Sequence, residues 1–272
     1  MANLVQRLKH AVTWRAQLSS RRLRHFGLNR HCPFCAATVR AFVPEGQEHQ
    51  VLFDLEVVGG GRRDDVVCPV CGAFDRERLV YLFLNNRGLV QGPMRIMHVA
   101  PEAKLGAWLR RRAQGGYLSA DLMSTAVDEN FDLQAIPHPD ASFDAVIVNH
   151  VLEHIGDDAK AMRECQRVLK PGGWAILQVP IALKLEHTIE DPSETDPAAR
   201  QRRFGQDDHI RIYTQGDYVA RLQRAGFEVE QFRWTEERAA YGGAENRYGL
   251  LEKEVLFFCR KPTAQAPDKS PA

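Results

Sequence analysis

Four cysteines fall in two pairs, Cys32-Pro33-Phe34-Cys35 and Cys68-Pro69-Val70-Cys71-Gly72. Each pair sets two thiolates within reach of one ion, and four thiolates complete the closed tetrahedral shell of a structural zinc. A redox dithiol is the rival use of this spacing. Two knuckles with proline and glycine in knuckle positions favour metal over it. His31 adjoins the first knuckle but the shell does not require it. A second group of reactive side chains stands at a strand end. Residues 145–148 are too few for a helix and too continuously apolar for a half-exposed strand, so they suit the centre of a parallel sheet. Asn149 and His150 follow at the carboxyl end, where open α/β sheets bind ligands. His150 and His154 lie four apart and share a face if helical, yet the sequence offers no evident third metal ligand beside them. The third group crowds the polar segment 182–215, where Arg203, Phe204, Gln206, Asp208, Arg211 and Tyr213 surround His209. A long segment of this kind in a compact domain is usually functional. The mixture reads as an acceptor site, with His209 as general base and Arg203 or Arg211 holding an anionic group.

These residues need elements to carry them. Around the apolar strand the chain reads FDAVIVNHVLEHIGDDAKAMRECQRVLKPGG. Ala159, Met162, Cys165 and Leu169 follow helical spacing, Lys170 to Gly173 supply a basic last turn and a breaker, and a further buried strand begins at Trp174. Upstream, residues 94–99 form a strand, Ala100-Pro101-Glu102 a turn, and 104–112 a helix. Pro101 suits a first helical turn and Glu102 sits where an acid favours the helix dipole. Asp121 ends the next strand, 21 residues after Ala100, an offset at which an acid accepts hydrogen bonds from a ribose diol. Between the knuckles, residues 50–58 and 65–67 are expected to pair as strands around the three glycines 59–61, making a zinc ribbon. Cys165 and Cys259 read as small core hydrophobes.

The block from Phe143 to Gly173 is similar to the region between the fourth and fifth strands of class I S-adenosylmethionine-dependent methyltransferases, in which a Phe-Asp pair, Val-Leu-Glu-His and Arg-Val-Leu-Lys-Pro-Gly-Gly recur. The resemblance spans about residues 94–260 and looks closest to methyltransferase-domain proteins with an N-terminal zinc ribbon. It implies an α/β, Rossmann-like domain with a mostly parallel seven-stranded sheet, and S-adenosylmethionine as cofactor beside structural Zn2+. It implies that Asp121 holds the ribose, and that Asp132 holds the adenine amino group, with the Leu133 amide beside the ring. The resembled proteins carry a glycine-rich loop where this chain has Ala100 and Pro101, the main departure from the pattern. Glu102 is expected to face the cofactor's ammonium group, and Asn149 and His150 the methyl-transfer site.

The domains expected are a basic helical segment over 1–30, the zinc ribbon over 31–75, a linking helix over 76–93, the methyltransferase domain over 94–262 with the insertion 182–215, and a disordered tail over 263–272. The net charge of +1 excludes a wholly basic nucleic-acid binder, but the first 30 residues hold seven Lys or Arg and no Asp or Glu. With the zinc ribbon, that segment keeps open an RNA methyltransferase that grips phosphates with both, and by itself a peripheral contact with anionic membrane. The reading favoured is methyl transfer to an oxygen or nitrogen of a small molecule or glycan, such as a sugar hydroxyl. A non-catalytic module that has lost cofactor affinity is the rival from another class. Without an apolar run long enough for a span or a secretory leader, the expected location is cytoplasmic.

Overall fold

The computed structural model describes residues 19–263. They divide into two units that interleave along the chain: one comprises the residues up to Gly46, Arg62–Arg87 and Trp234–Glu252, the other Gln47–Gly61, Gly88–Arg233 and the residues from Lys253. Residues 1–18 of the basic segment and 264–272 of the tail lie outside the described residues; within the rest of the segment Phe26–His31 is a strand, not the helix expected there. Among the described residues no helix is long and apolar enough to cross a membrane.

The larger unit is built on a seven-stranded sheet in the order Glu228–Phe232, Leu256–Arg260, Leu169–Gln178, Phe143–Asn149, Ile96–Val99, Tyr117–Asp121, Glu129–Asn130. The last five strands pair in parallel, and the first two are antiparallel additions at one edge. The α/β, mostly parallel architecture expected from the sequence is the one found. Ile96–Val99 is buried throughout, as is nearly all of Phe143–Asn149, because helices cover both faces of a parallel sheet. The helix Asp158–Val168 buries Ala161, Met162, Cys165 and Val168, and Asp157 caps it by accepting from the Lys160 amide at 2.8 Å. Lys170 to Gly173 do not end an element cleanly: the strand starts at Leu169 and its register shifts between Leu169 and Trp174, so the glycines form a bulge.

A smaller four-stranded sheet in the same unit runs Ile189–Glu190, Arg211–Thr214, Ile181–Ala182, Val57–Val58. Its last strand corrects the hairpin expected between the knuckles. Gln50–Asp54 is a helix, Val57–Val58 pairs with Ile181–Ala182, and Leu52 and Val57 pack with Ala182, Phe204 and Ile212. Apolar side chains at helical spacing here found a core larger than a ribbon offers. Arg63–Val67 does form a strand, paired with Val43–Glu45.

In the smaller unit Cys32, Ala37, Val39, Phe42, Cys68, Val70 and Ala73 form a compact core. The helix Asp75–Asn86 carries Arg78, fully buried, whose guanidinium donates to the carbonyls of Asp65, Val66, Ala73, Tyr248 and Gly249 at 2.7 to 3.0 Å. A buried cation needs acceptors on every side. Two of those acceptors lie 170 and 171 residues away, which is how residues 234–252, expected in the methyltransferase domain, come to belong to this unit instead.

Candidate functional site

Residues at and just beyond the carboxyl ends of Ile96–Val99 and Phe143–Asn149, the first and fourth parallel strands in chain order, converge on one network that reaches Tyr117 at the start of the second, Tyr117–Asp121. Ala100, directly after Ile96–Val99, adopts φ +46°, a left-handed conformation usually left to glycine, and its amide donates to the Ala120 carbonyl at 2.8 Å. The turn thus takes a glycine-like path without glycine. Pro101 leads to Glu102, the N-cap of the helix Ala103–Arg112. One Glu102 oxygen meets His98 Nε2 at 3.0 Å, the other accepts from Asn149 Nδ2 at 3.1 Å, and His98 Nδ1 meets the Tyr117 hydroxyl at 3.0 Å. Both ring nitrogens of His98 are therefore partnered, one by the Tyr117 hydroxyl and the other by the carboxylate. Burial pushes the Tyr117 hydroxyl above its ordinary value, keeping it a donor. His98 was missed in the sequence. Its signal was a histidine inside the otherwise apolar strand Ile-Met-His-Val. Asn149 is 5% exposed and its Oδ1 is buried without a hydrogen-bond partner; such an orphan acceptor at a strand mouth awaits a donor.

Asp121 ends Tyr117–Asp121, and its Oδ1 accepts from the amides of Met123 and Ser124 at 2.8 and 2.7 Å, a turn that fixes the carboxylate. Asp132 makes a similar turn, accepting from the Gln134 amide at 2.8 Å, while the Leu133 side chain lies in the core. His150, like Ala100, has a left-handed backbone, at φ +54°, and its amide donates to the Gln178 carbonyl at 2.8 Å. A Cβ added to Gly59, itself at φ +85°, would stand 3.3 Å from His150 Cε1, so the excursion 47–61 comes up against this histidine. His150 Nδ1 lies 3.6 Å from Glu153 Oε1.

The insertion 182–215 divides. Three residues expected to hold an acceptor are instead fold-holding groups. Arg211 is 1% exposed and donates to the carbonyls of Leu152, Ile155 and Gly156 and to Glu190. Tyr213 is fully buried and donates to Asp158 at 2.7 Å, and Phe204 is buried against Leu52 and Ile212. Arg203 pairs with Asp191. Gln206 is half-buried and Asp208 exposed. His209 is 3% exposed, edge-to-face with His154 at 4.6 Å, and burial holds its basicity below the ordinary imidazole value. His209 is thus packed against His154 inside the fold.

In the smaller unit, the sulfurs of Cys32, Cys35, Cys68 and Cys71 all lie within 4.8 Å of one another, with Cys32 and Cys71 at 3.6 Å and Cys35 and Cys68 at 3.9 Å. None is in a disulfide. Four sulfurs at about 2.3 Å from a tetrahedral ion are about 3.8 Å apart, so the quartet fits zinc with little adjustment.

A sequence profile of the methyltransferase-domain family matches residues 95–232. A probable S-adenosylmethionine-dependent methyltransferase of Mycolicibacterium smegmatis is 30% identical over 138 residues, covering 50% of this chain and 48% of that protein. The 27-O-demethylrifamycin SV methyltransferase of Amycolatopsis mediterranei is 29% identical over 147 residues, covering 53% and 52%. Among solved structures, the [4+2]-cyclase SpnF superposes with a TM-score of 0.49 at 17% identity, covering 69% of this chain and 82% of that one. The chain spans about half the length of the curated relatives it matches. It belongs to the methyltransferase-domain family, and its fold is the class I fold of S-adenosylmethionine-dependent methyltransferases.

Proposed function

We propose that the protein binds S-adenosylmethionine at the mouth of the first, second and fourth strands and transfers its methyl group to an oxygen or nitrogen of a small-molecule or glycan acceptor. The observation that carries this reading is the Glu102–Asn149 pair. A carboxylate fixed by His98 and an orphaned amide oxygen together suit the cofactor's ammonium group. Asp121 then accepts from the ribose diol, and Asp132 and the Leu133 amide hold the adenine. The left-handed Ala100 supports a working cofactor turn and counts against a module that has lost its ligand. A small acceptor is favoured by the similarity to the 27-O-demethylrifamycin SV methyltransferase, whose name specifies an oxygen of one small molecule.

The sulfonium is already activated, so the protein must align the reactants and take a proton from the acceptor. We assign that proton to His150 in place of His209. It stands at the strand mouth beside Asn149, and Glu153 lies close enough to stabilise the imidazolium that forms. Arg203, Gln206 and Asp208 remain as the acceptor-facing part of the insertion. In the smaller unit the four cysteines hold structural zinc. Calorimetry with S-adenosylhomocysteine tests the cofactor, and tritium transfer from labelled S-adenosylmethionine into fractionated extracts finds the acceptor. A chain that binds no S-adenosylhomocysteine refutes the proposal.

A further inference from the structure

The sequence showed no third ligand beside His150 and His154; the fold leaves His150 out of the set and brings His209 to Glu153 and His154. Glu153, His154 and His209 each offer a donor atom, and the three donors lie within 4.8 Å of one another. Donors held at about 2.0–2.2 Å by a tetrahedral ion stand about 3.4 Å apart, so the three would close by up to about 1.4 Å, a shift on the scale of side-chain rotation. Glu153 is 1% exposed and neither carboxylate oxygen has a hydrogen-bond partner. Even His150, at 3.6 Å, is in ion-pair range but not bonding range. A buried carboxylate without hydrogen bonds is costly unless a cation compensates it.

The surroundings are built to orient these ligands. His154 Nδ1 lies 3.3 Å from both the carbonyl oxygen and Oδ2 of Asp208, which leaves Nε2 for an ion. Metal-binding histidines are typically held through their other nitrogen in this manner. Arg211 binds the carbonyls of Leu152, Ile155 and Gly156, clamping both sides of Glu153 and His154, and the Ile210 amide donates to the Glu153 carbonyl at 3.1 Å, fixing His209 alongside.

We propose that Glu153, His154 and His209 form a binding site for a divalent first-row transition ion, distinct from the cysteine quartet. Two imidazoles and one carboxylate leave open positions on such an ion, as in catalytic rather than structural sites. A hydroxyl ligated there beside His150 would lose its proton more readily. That role rests on the methyl-transfer reading; the binding of the ion does not.

The test uses Co(II) added to the full chain as purified, with bound cobalt counted after desalting. One cobalt per chain is expected, with the visible bands of a nitrogen and oxygen site and without thiolate charge transfer. His154→Gln, whose side chain is partly exposed, and His209→Gln should each weaken binding at least tenfold, Glu153→Gln likewise, and Cys68→Ser should leave it unchanged. S-adenosylhomocysteine calorimetry on His154→Gln reports that the fold persists and should match the wild type. A wild type that binds no cobalt, a thiolate spectrum, or histidine variants that bind as well as wild type overturns the site. Cobalt binding without S-adenosylhomocysteine binding would sink methyl transfer and leave the ion site standing.

Discussion

Ala100 tests how much a single backbone angle costs. A left-handed conformation costs an L-residue about 1–2 kcal/mol, and glycine's extra freedom in the unfolded chain returns about 0.4–1 kcal/mol of that. Ala100→Gly should therefore stabilise the protein by about 0.5 kcal/mol in denaturant melts, and a destabilised variant would mean that the φ of +46° carries no strain. Asp121→Ala should weaken S-adenosylhomocysteine binding by about 1–3 kcal/mol through lost charge-assisted hydrogen bonds, read by calorimetry. If His150 takes the acceptor proton, His150→Ala should lower turnover about 100-fold or more with cofactor affinity nearly intact; a raised KM at unchanged kcat would make it a positioning residue. At this scale the sequence was readable where offset fixes position: Asp121 at its strand end and Asn149 with His150 at theirs. It was unreadable where burial decides. Nothing in the string distinguishes Arg211, spent on three carbonyls, from Arg203 on the surface, or marks Glu153 as a carboxylate without hydrogen bonds.

Elements with one strong period were legible; those whose partners lie far off were not. The central strands and the helix Asp158–Val168 announce themselves by continuous or 3.6-residue apolar spacing. Residues 50–58 hold apolar groups compatible with helix or strand, and the choice was made by Phe204 and Ile212, some 150 residues on. Gly205 marks the closeness of that packing, since a Cβ there would overlap Leu52 Cδ2 at a backbone φ of +83°. The loop before the fourth strand is tied to its following helix by Arg167, which binds the carbonyls of Ile136 and His138 as well as Asp140 and Glu164. The Arg167 hydrogen bond holds the Glu164 carboxyl below its ordinary 4.5. A folded-state value below the unfolded one gives stability that is complete above the ordinary value and lost as pH falls through the lowered one. Arg167→Met should therefore lose less melting temperature than wild type on going from about pH 6 to about pH 3. Parallel acid curves would show that the ion pair contributes nothing.

At the scale of the molecule, the sequence was read as a zinc ribbon followed by a methyltransferase domain, and the chain divides into a smaller and a larger unit that interleave. The contiguous order expected for them is what the string could not disclose, because Arg78 recruits carbonyls from residues 248 and 249 and the span between the knuckles packs elsewhere. Metal binding supplies much of a small module's folding free energy. One zinc per chain is therefore expected by elemental analysis when the second site is left empty, and Cys68→Ser should melt the smaller unit at a lower temperature than the larger. A single unshifted transition in that variant would remove zinc from the architecture. The excursion 47–61 adds a consequence for biosynthesis. Its apolar side chains leave the ribosome long before residues 181–212 exist to cover them, while the flanking cysteines are complete as soon as Cys71 emerges. A metal gripping both knuckles would tether the nascent excursion as a short closed loop, lowering the entropy to be lost at docking. Zinc supply during translation would then set the yield of a domain that contains none of the cysteines that bind it.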